Sequence, residues 1–406
     1  MFIFGGSATY GVEAAGFNVG EVLEMTDDMH LKNAYHFAQN RPDITLIPPS
    51  SWDHPSQLAK LKAQQVDLLY SNCPCSSLSQ LNRNAAIDGK NNQQFYRVFQ
   101  AIKQIQPKTF FIENAPTLIK LGYPIITDLI RELGHLYKFT IIRDEAGRHN
   151  VAMQRQRTLM VGWRRDVFDD QIPEVYMQAR PMFTQKMLLQ DLYTVPLGAT
   201  VKPDGTPLYN HELVSDRAWI GYEHLFNLVQ PGETLLDALI RHWDVAVKVL
   251  PHDSTYYRHV ARCRDKLAAG GRVWNKDPER QHEDDQAPSL SSVAEFIHPT
   301  LDRAYTIREY ARLMGYPDDF QFYPNGKTSI VQCIAQGVPA RFVEYIATEI
   351  NAAMANQRSM LSGSRLAQLC FQHHTHKVAK LYDGETLRQL SALDHNTKSS
   401  GFWTLT

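Results

Sequence analysis

Over residues 1–165, short apolar runs alternate with stretches of helical periodicity, and few architectures accept that pattern. The runs fall at 1–4, 66–70, 109–112, 139–142 and 158–161, with helix-like stretches such as 95–105 and 125–136 between them. Runs this short and this apolar suit strands buried on both faces, and the intervening helices suit crossovers. The pattern therefore predicts an α/β domain on a doubly wound, mostly parallel sheet. From 166 to 296 the regularity lapses, with turn signals at Lys202-Pro203-Asp204-Gly205 and Gln230-Pro231-Gly232 and a basic set comprising Arg258, Arg262, Arg264, Lys266, Arg272, Lys276 and Arg280. That segment reads as a smaller, irregular domain. Helical periodicity returns over 306–314 and 340–354, so 297–356 is expected to rejoin the first domain. Residues 357–406 read as an appended helical tail. Its two short amphipathic stretches around Gly384 suit either a helix-turn-helix or a plain helical hairpin.

Composition narrows the classes. With 406 residues, 43% of them hydrophobic, the chain can bury two or three domain cores. A formal net charge of -1 gives no support for a strongly basic nucleic-acid binder, although a local basic cleft can sit on a neutral protein. Five scattered cysteines are too few for a disulfide framework and point to a reducing, intracellular setting. No apolar run reaches the roughly 18 residues that a membrane span needs. Met1-Phe2-Ile3-Phe4 leads into glycines without the basic start of a signal peptide, and the opening strand is short enough to fit a truncated start.

Chemistry-bearing residues cluster at the predicted strand ends, where open α/β sheets present groups to ligands. Cys75 lies in Cys73-Pro74-Cys75-Ser76-Ser77, just past the second run. Glu113-Asn114 ends the third. Alone, Pro74-Cys75 reads as an inert buried thiol, and Glu113-Asn114 as a turn. Cys73 and Cys75 lack the two-residue spacer of a thioredoxin-type redox pair. Gly5-Gly6-Ser7 makes a glycine turn between strand and helix, which is either a ligand cradle or a tight turn. Glu24 stands where doubly wound folds hold a ribose, and a solvated strand-end carboxylate fits equally well. Asp53 is placed either to accept from an adenine amino group or to cap the helix that follows. The histidines His373, His374 and His376 lack acid or cysteine partners at ligand spacing, so no metal is expected.

Taken in order, these residues resemble the DNA (cytosine-5)-methyltransferase family. The resemblance rests on Gly5-Gly6, Glu24, Pro74-Cys75, Glu113-Asn114, Arg155-Gln156-Arg157, the stretch from Arg303 to Phe320, and Gly337-Val338-Pro339. It covers most of 1–165 and 297–350. It implies a Rossmann-like fold of the S-adenosylmethionine-dependent methyltransferases, with S-adenosylmethionine as cofactor, double-stranded DNA as partner and a target-recognition domain at 166–296. It also implies that Cys75 attacks carbon 6 of a flipped cytosine. Glu113 then holds the ring's N3 and amino group and supplies a proton. Arg155 holds the base carbonyl and steadies Glu113, and Arg157 contacts the same site or a phosphate. Phe4, Gly6, Ser7, Glu24 and Asp53 are the implied cofactor contacts. The chain departs from the family pattern at Asn72, Ser76, Ala115 and Met153. Two alternatives stay open: the same fold acting on RNA or a modified base, and a non-catalytic DNA-binding protein on a methyltransferase scaffold. A cytoplasmic, DNA-associated monomer with a cognate restriction endonuclease as candidate partner completes the expectation.

Overall fold

The computed structural model describes residues 1–24, 28–48, 54–74, 78, 92–119, 121–175, 177–213, 221–273, 277–290, 296–323, 330–373 and 380–382. These divide into two compact units. Met1–Ala146, Gln156–Ala179 and the described residues from Phe342 onward make the first; Gly147–Arg155 and Arg180–Arg341 make the second. The expected domain limits were 165 and 297. Residues beyond 165 stay with the first unit because the Ile172 N–H donates to Ser364 Oγ at 3.2 Å and its carbonyl accepts from Leu361 at 2.9 Å. Residues beyond 297 stay with the second because Arg308 Nε donates to the Tyr209 carbonyl at 2.7 Å.

The described strands are β1 (Glu21–Leu23), β2 (Thr45–Ile47), β3 (Leu68–Asn72), β4 (Thr109–Asn114), β5 (Tyr137–Glu145), β6 (Gln156–Arg164), β7 (Glu279–Arg280), β8 (Phe296–Ile297), β9 (Leu369–His373) and β10 (Lys380–Tyr382). In the first unit, six of them form one sheet in the order β10-β9-β5-β6-β4-β3. β3 is parallel to β4 and β5 to β9, whereas β6 runs antiparallel to both β4 and β5. β3, β4, β5 and β9 therefore share a direction, which β6 and β10 oppose. β1 and β2 form a separate parallel pair. The opening run 1–4 is not a regular strand, because Phe2 (φ 56°) and Phe4 (φ 50°) are left-handed. Its backbone is nevertheless bonded on both sides. The Met1 amine donates to the Tyr70 carbonyl at 2.8 Å, Asn72 N–H to the Met1 carbonyl at 3.1 Å, and Phe2 N–H to the Leu23 carbonyl at 3.2 Å.

Side-chain pattern explains these placements. Every residue of β4 and of β5 is buried, as a strand covered on both faces requires. Gly162 lies opposite Phe110 in the β4–β6 ladder, and a Cβ there would come within 2.0 Å of the Phe110 ring. Helix Gln93–Ile105 buries Phe95, Val98, Phe99, Ile102 and Ile105, the stripe that its 3.6-residue period places on one face. It ends at left-handed Gln106, where Pro107 blocks continuation. Helix Pro55–Ala63 is capped by the His54 side chain, which accepts from Ser56 N–H at 3.4 Å; the expected alternative role of Asp53 as its cap is thereby corrected.

The tail is corrected too. Its described part contains β9 and β10 rather than helices, and β9 pairs with β5 over Leu369 to His373. A run with Leu, Cys and Phe in sequence satisfies the open edge of a buried strand better than it forms an amphipathic helix. The helix pair expected around Gly384 lies outside the described residues.

The second unit is more regular than expected. Helices Leu235–Arg241, Trp243–Val249 and Thr255–Ala268 pack around Leu225, Phe226, Leu239 and Val260. Helix Ile307–Leu313 opens with a capping box between Thr306 and Glu309.

Candidate active site

The carboxyl ends of β3 and β4 set the site. Asn72 pairs with Glu113 across the parallel ladder, so Cys73 and Pro74 leave the sheet beside the Glu113-Asn114 end of β4. The Asn114 amide donates to the Cys73 carbonyl at 3.1 Å. β6 is antiparallel to β4, so its first residues lie at the same edge. Leu159 is opposite Glu113, and side chains two residues apart on a strand share a face. Arg157 is therefore the diagonal cross-strand neighbour of Glu113, and the two form a salt bridge with both side chains largely buried (12% and 3% exposed).

Arg155, expected to steady Glu113, precedes β6 and belongs to the second unit. Its guanidinium donates to the carbonyls of Leu290 at 2.9 Å, Ala335 at 2.7 Å and Gly337 at 2.8 Å, all in that unit. Arg157 forms a salt bridge with Glu113. Two substitutions separate the roles. Arg155→Gln leaves buried carbonyls short of donors, and we expect a stability loss of about 3 kcal/mol in a denaturant titration. Arg157→Gln should cost a similar amount by leaving the buried Glu113 carboxyl unpaired, and it alone should also lower kcat/KM about a hundredfold.

The glycine turn and Glu24 form a second cluster. Gly6 is left-handed (φ +87°), and a Cβ there would meet the Phe37 ring at 2.2 Å, so only glycine fits. Helix Ser7–Ala14 starts directly after it. Glu24 follows β1 and is fully buried. Its Oε1 accepts from the Ile3 N–H at 2.7 Å, which ties it to the segment that carries Phe4 and Gly6. Its Oε2 is buried with no hydrogen-bond partner among the described residues. Burial raises this carboxyl from 4.5 to about 7, against opposing effects from the Ile3 hydrogen bond and the amine charge. The solvated reading of Glu24 is excluded.

Cys75 and Asp53 lie outside the described residues. Phe4, Gly6, Ser7 and Glu24 come together in the first unit, as do Glu113 and Arg157. Among the basic residues, Arg280 is no surface group. It is buried and donates to the carbonyls of Phe226 at 2.7 Å, Val229 at 2.8 Å and His298 at 2.8 Å. Arg258, Arg262 and Lys266 are exposed at four-residue spacing on helix Thr255–Ala268. No described helix is long and apolar enough to cross a membrane.

Comparison with known proteins bears on this geometry. The family model for C-5 cytosine-specific DNA methylase matches residues 1–352. The chain is 24% identical over 399 residues to the type II methyltransferase M.DdeI of Desulfomicrobium norvegicum, which covers 91% of this chain and 93% of that relative. It is 22% identical over 365 residues to the type II methyltransferase M.NgoPII of Neisseria gonorrhoeae, across 86% of this chain and 93% of that one. Among solved structures it resembles one described as a prophage-encoded DNA modification methyltransferase of E. coli. The TM-score is 0.57 at 20% identity, covering 87% of this chain and 98% of that one, a likeness of fold.

Proposed function

The chain belongs to the C-5 cytosine-specific DNA methylase family, and from that premise we propose that Cys75, Glu113 and Arg157 are its catalytic set, with Arg155 anchoring the segment before β6 to the second unit's backbone. The enzyme methylates carbon 5 of cytosine in DNA and uses S-adenosylmethionine as its methyl donor. The observation that carries the assignment is the largely buried Glu113–Arg157 pair beside Cys73 and Pro74.

Carbon 5 of cytosine is a weak nucleophile. Addition of the Cys75 thiolate to carbon 6 forms a C–S bond and moves the ring's electrons toward carbon 5, making it an enamine carbon that can attack an electrophile. Glu113 binds N3 and the exocyclic amine and gives N3 a proton as the ring accepts those electrons. Arg157 holds Glu113 in place and offers its remaining donors to the base carbonyl. After methylation, transfer of the carbon-5 proton to a solvent base, departure of the thiolate and return of the N3 proton to the Glu113 carboxylate restore the neutral aromatic ring. The base must be extruded from the duplex, at a cost of a few kcal/mol.

The residues around Gly6 fit the donor. Bound there, S-adenosylmethionine supplies an electrophilic methyl group. The unpartnered Oε2 of Glu24 suits ribose hydroxyl donors, and the Gly6-Ser7 turn lets a backbone approach closely. Phe4 would lie near the adenine, with Asp53 accepting from its amino group.

Glu24 makes the pH dependence specific. Its folded pKa lies above its unfolded one, so its contribution to cofactor-free stability is complete below about pH 4.5 and is lost as the pH rises through about 7. The change is on the order of 3 kcal/mol. Unfolding midpoints of the cofactor-free protein should fall across that window, while cofactor affinity rises as the accepting carboxylate forms. Calorimetric titrations at several pH values check both trends, and Glu24→Gln should flatten them.

The second unit is the proposed target-recognition domain, with Arg258, Arg262 and Lys266 as phosphate contacts. The type II relatives support a cytoplasmic enzyme and a cognate restriction endonuclease as its counterpart. The test of function is direct. Duplex DNA incubated with the protein and S-adenosylmethionine should yield 5-methylcytosine on nucleoside analysis; a methyl group on any other atom would refute the assignment.

A further inference from the structure

Cys73 and Leu78, described residues on either side of Cys75, both bond to one neighbouring segment. At its start, the Asn114 amide donates to the Cys73 carbonyl. At its far side, the Thr117 hydroxyl donates to the carbonyl of Leu78, whose side chain is fully buried. Asn114 is the last residue of β4, and Thr117 lies in the 3-10 turn Pro116–Ile119 that follows at once. That turn is itself fixed. Leu118 N–H donates to the Ala115 carbonyl at 3.0 Å, and Leu121 N–H to the Thr117 carbonyl at 2.8 Å. Leu118 and Ile119 are buried in the core of the first unit. So one segment, which begins at Glu113, bonds to both Cys73 and Leu78, the described residues on either side of Cys75.

We propose that Thr117 is a positioning residue for catalysis, holding the Cys75 loop in register with Glu113 through the Leu78 carbonyl. This rests on the assignment of Cys75 as nucleophile. Reaction geometry tolerates little drift, since an ångström of misplacement can lower rate a hundredfold. A single neutral hydrogen bond at one end of a short loop should account for about tenfold in kcat.

The test compares Thr117→Val, Thr117→Ser and Cys75→Ala. Valine keeps the shape and removes the donor; serine keeps the donor. Thr117→Val should lower kcat about tenfold and leave the KM for S-adenosylmethionine within about twofold. Thr117→Ser should restore the rate. The rate of covalent trapping on duplex DNA carrying 5-fluorocytosine should fall in step with kcat. A hydroxyl that merely filled space would be replaced by valine without loss. An unchanged kcat in Thr117→Val, or a loss that serine does not repair, overturns the inference; should the valine variant not fold, Thr117→Ala against Thr117→Ser carries the same comparison. If Cys75→Ala stays active, the catalytic assignment itself has failed. If Cys75→Ala is inactive and Thr117→Val is normal, only the role of Thr117 has failed.

Discussion

Cys75→Ala should abolish methyl transfer, with a fall in kcat on the order of 10⁴-fold or more in an assay of labelled methyl incorporation into duplex DNA. The size follows from the chemistry. Without a thiolate at carbon 6, carbon 5 keeps its aromatic character and has no route to an enamine. Binding should survive, because the phosphate contacts proposed for the second unit do not involve this residue. Cys75→Ser is the sharper companion. It keeps size and polarity but replaces a thiol of pKa about 8.5 with a far less acidic hydroxyl, so it should be nearly as inactive as alanine. A serine variant with a tenth of the parent rate would show that the residue does something other than nucleophilic attack.

Glu113→Gln should lower kcat by roughly 10²- to 10³-fold, the range usual for loss of a positioned proton donor. Glutamine fills the same volume at the end of β4 and still offers an oxygen and an amide. It cannot pass a proton to N3, and it leaves Arg157 without the charge it now pairs with. Cofactor affinity should stay within a few fold, since Glu24 and Gly6 belong to a separate cluster. Single-turnover rates and calorimetric binding separate the two effects. A comparable loss in cofactor affinity would mean that Glu113 supports the fold of the site rather than its chemistry.

Much of this architecture is legible in the residues. The runs at 109–112, 139–142 and 158–161 locate β4, β5 and β6, because strands buried on both faces must be almost wholly apolar. Their polar ends are equally readable. Glu113-Asn114 interrupts an apolar strand where the sheet presents its ligand-facing edge. The pairing of Arg157 with Glu113 is not readable in this way, since it follows from the register that sets Leu159 opposite Glu113. The pairing register is a tertiary fact that local sequence does not encode.

Other features escape for similar reasons. β9 and β10 are short, and their identity depends on the open edge of β5, to which no local propensity points. Arg280 reads as a surface cation in a basic stretch, yet its acceptors come from residues about 18 to 54 positions away. Arg308 and Glu309 are adjacent and invite pairing with each other. In the structure Arg308 binds backbone carbonyls and Glu309 binds Arg303. Thr117 carries no motif at all; only its reach to Leu78 distinguishes it from any turn threonine.

The central claim is a covalent bond between Cys75 and carbon 6 of cytosine. It is tested most directly by incubating the protein with S-adenosylmethionine and a duplex carrying 5-fluorocytosine at many sites, then separating the products under denaturing conditions. Fluorine at carbon 5 cannot leave as a proton does, so the enzyme should stay attached to the DNA, with Cys75 identified as the modified residue by peptide mass and the species absent in Cys75→Ala. Methylation of unmodified duplex without any denaturant-stable adduct on the fluorinated one, or an adduct that persists in Cys75→Ala, would contradict the account.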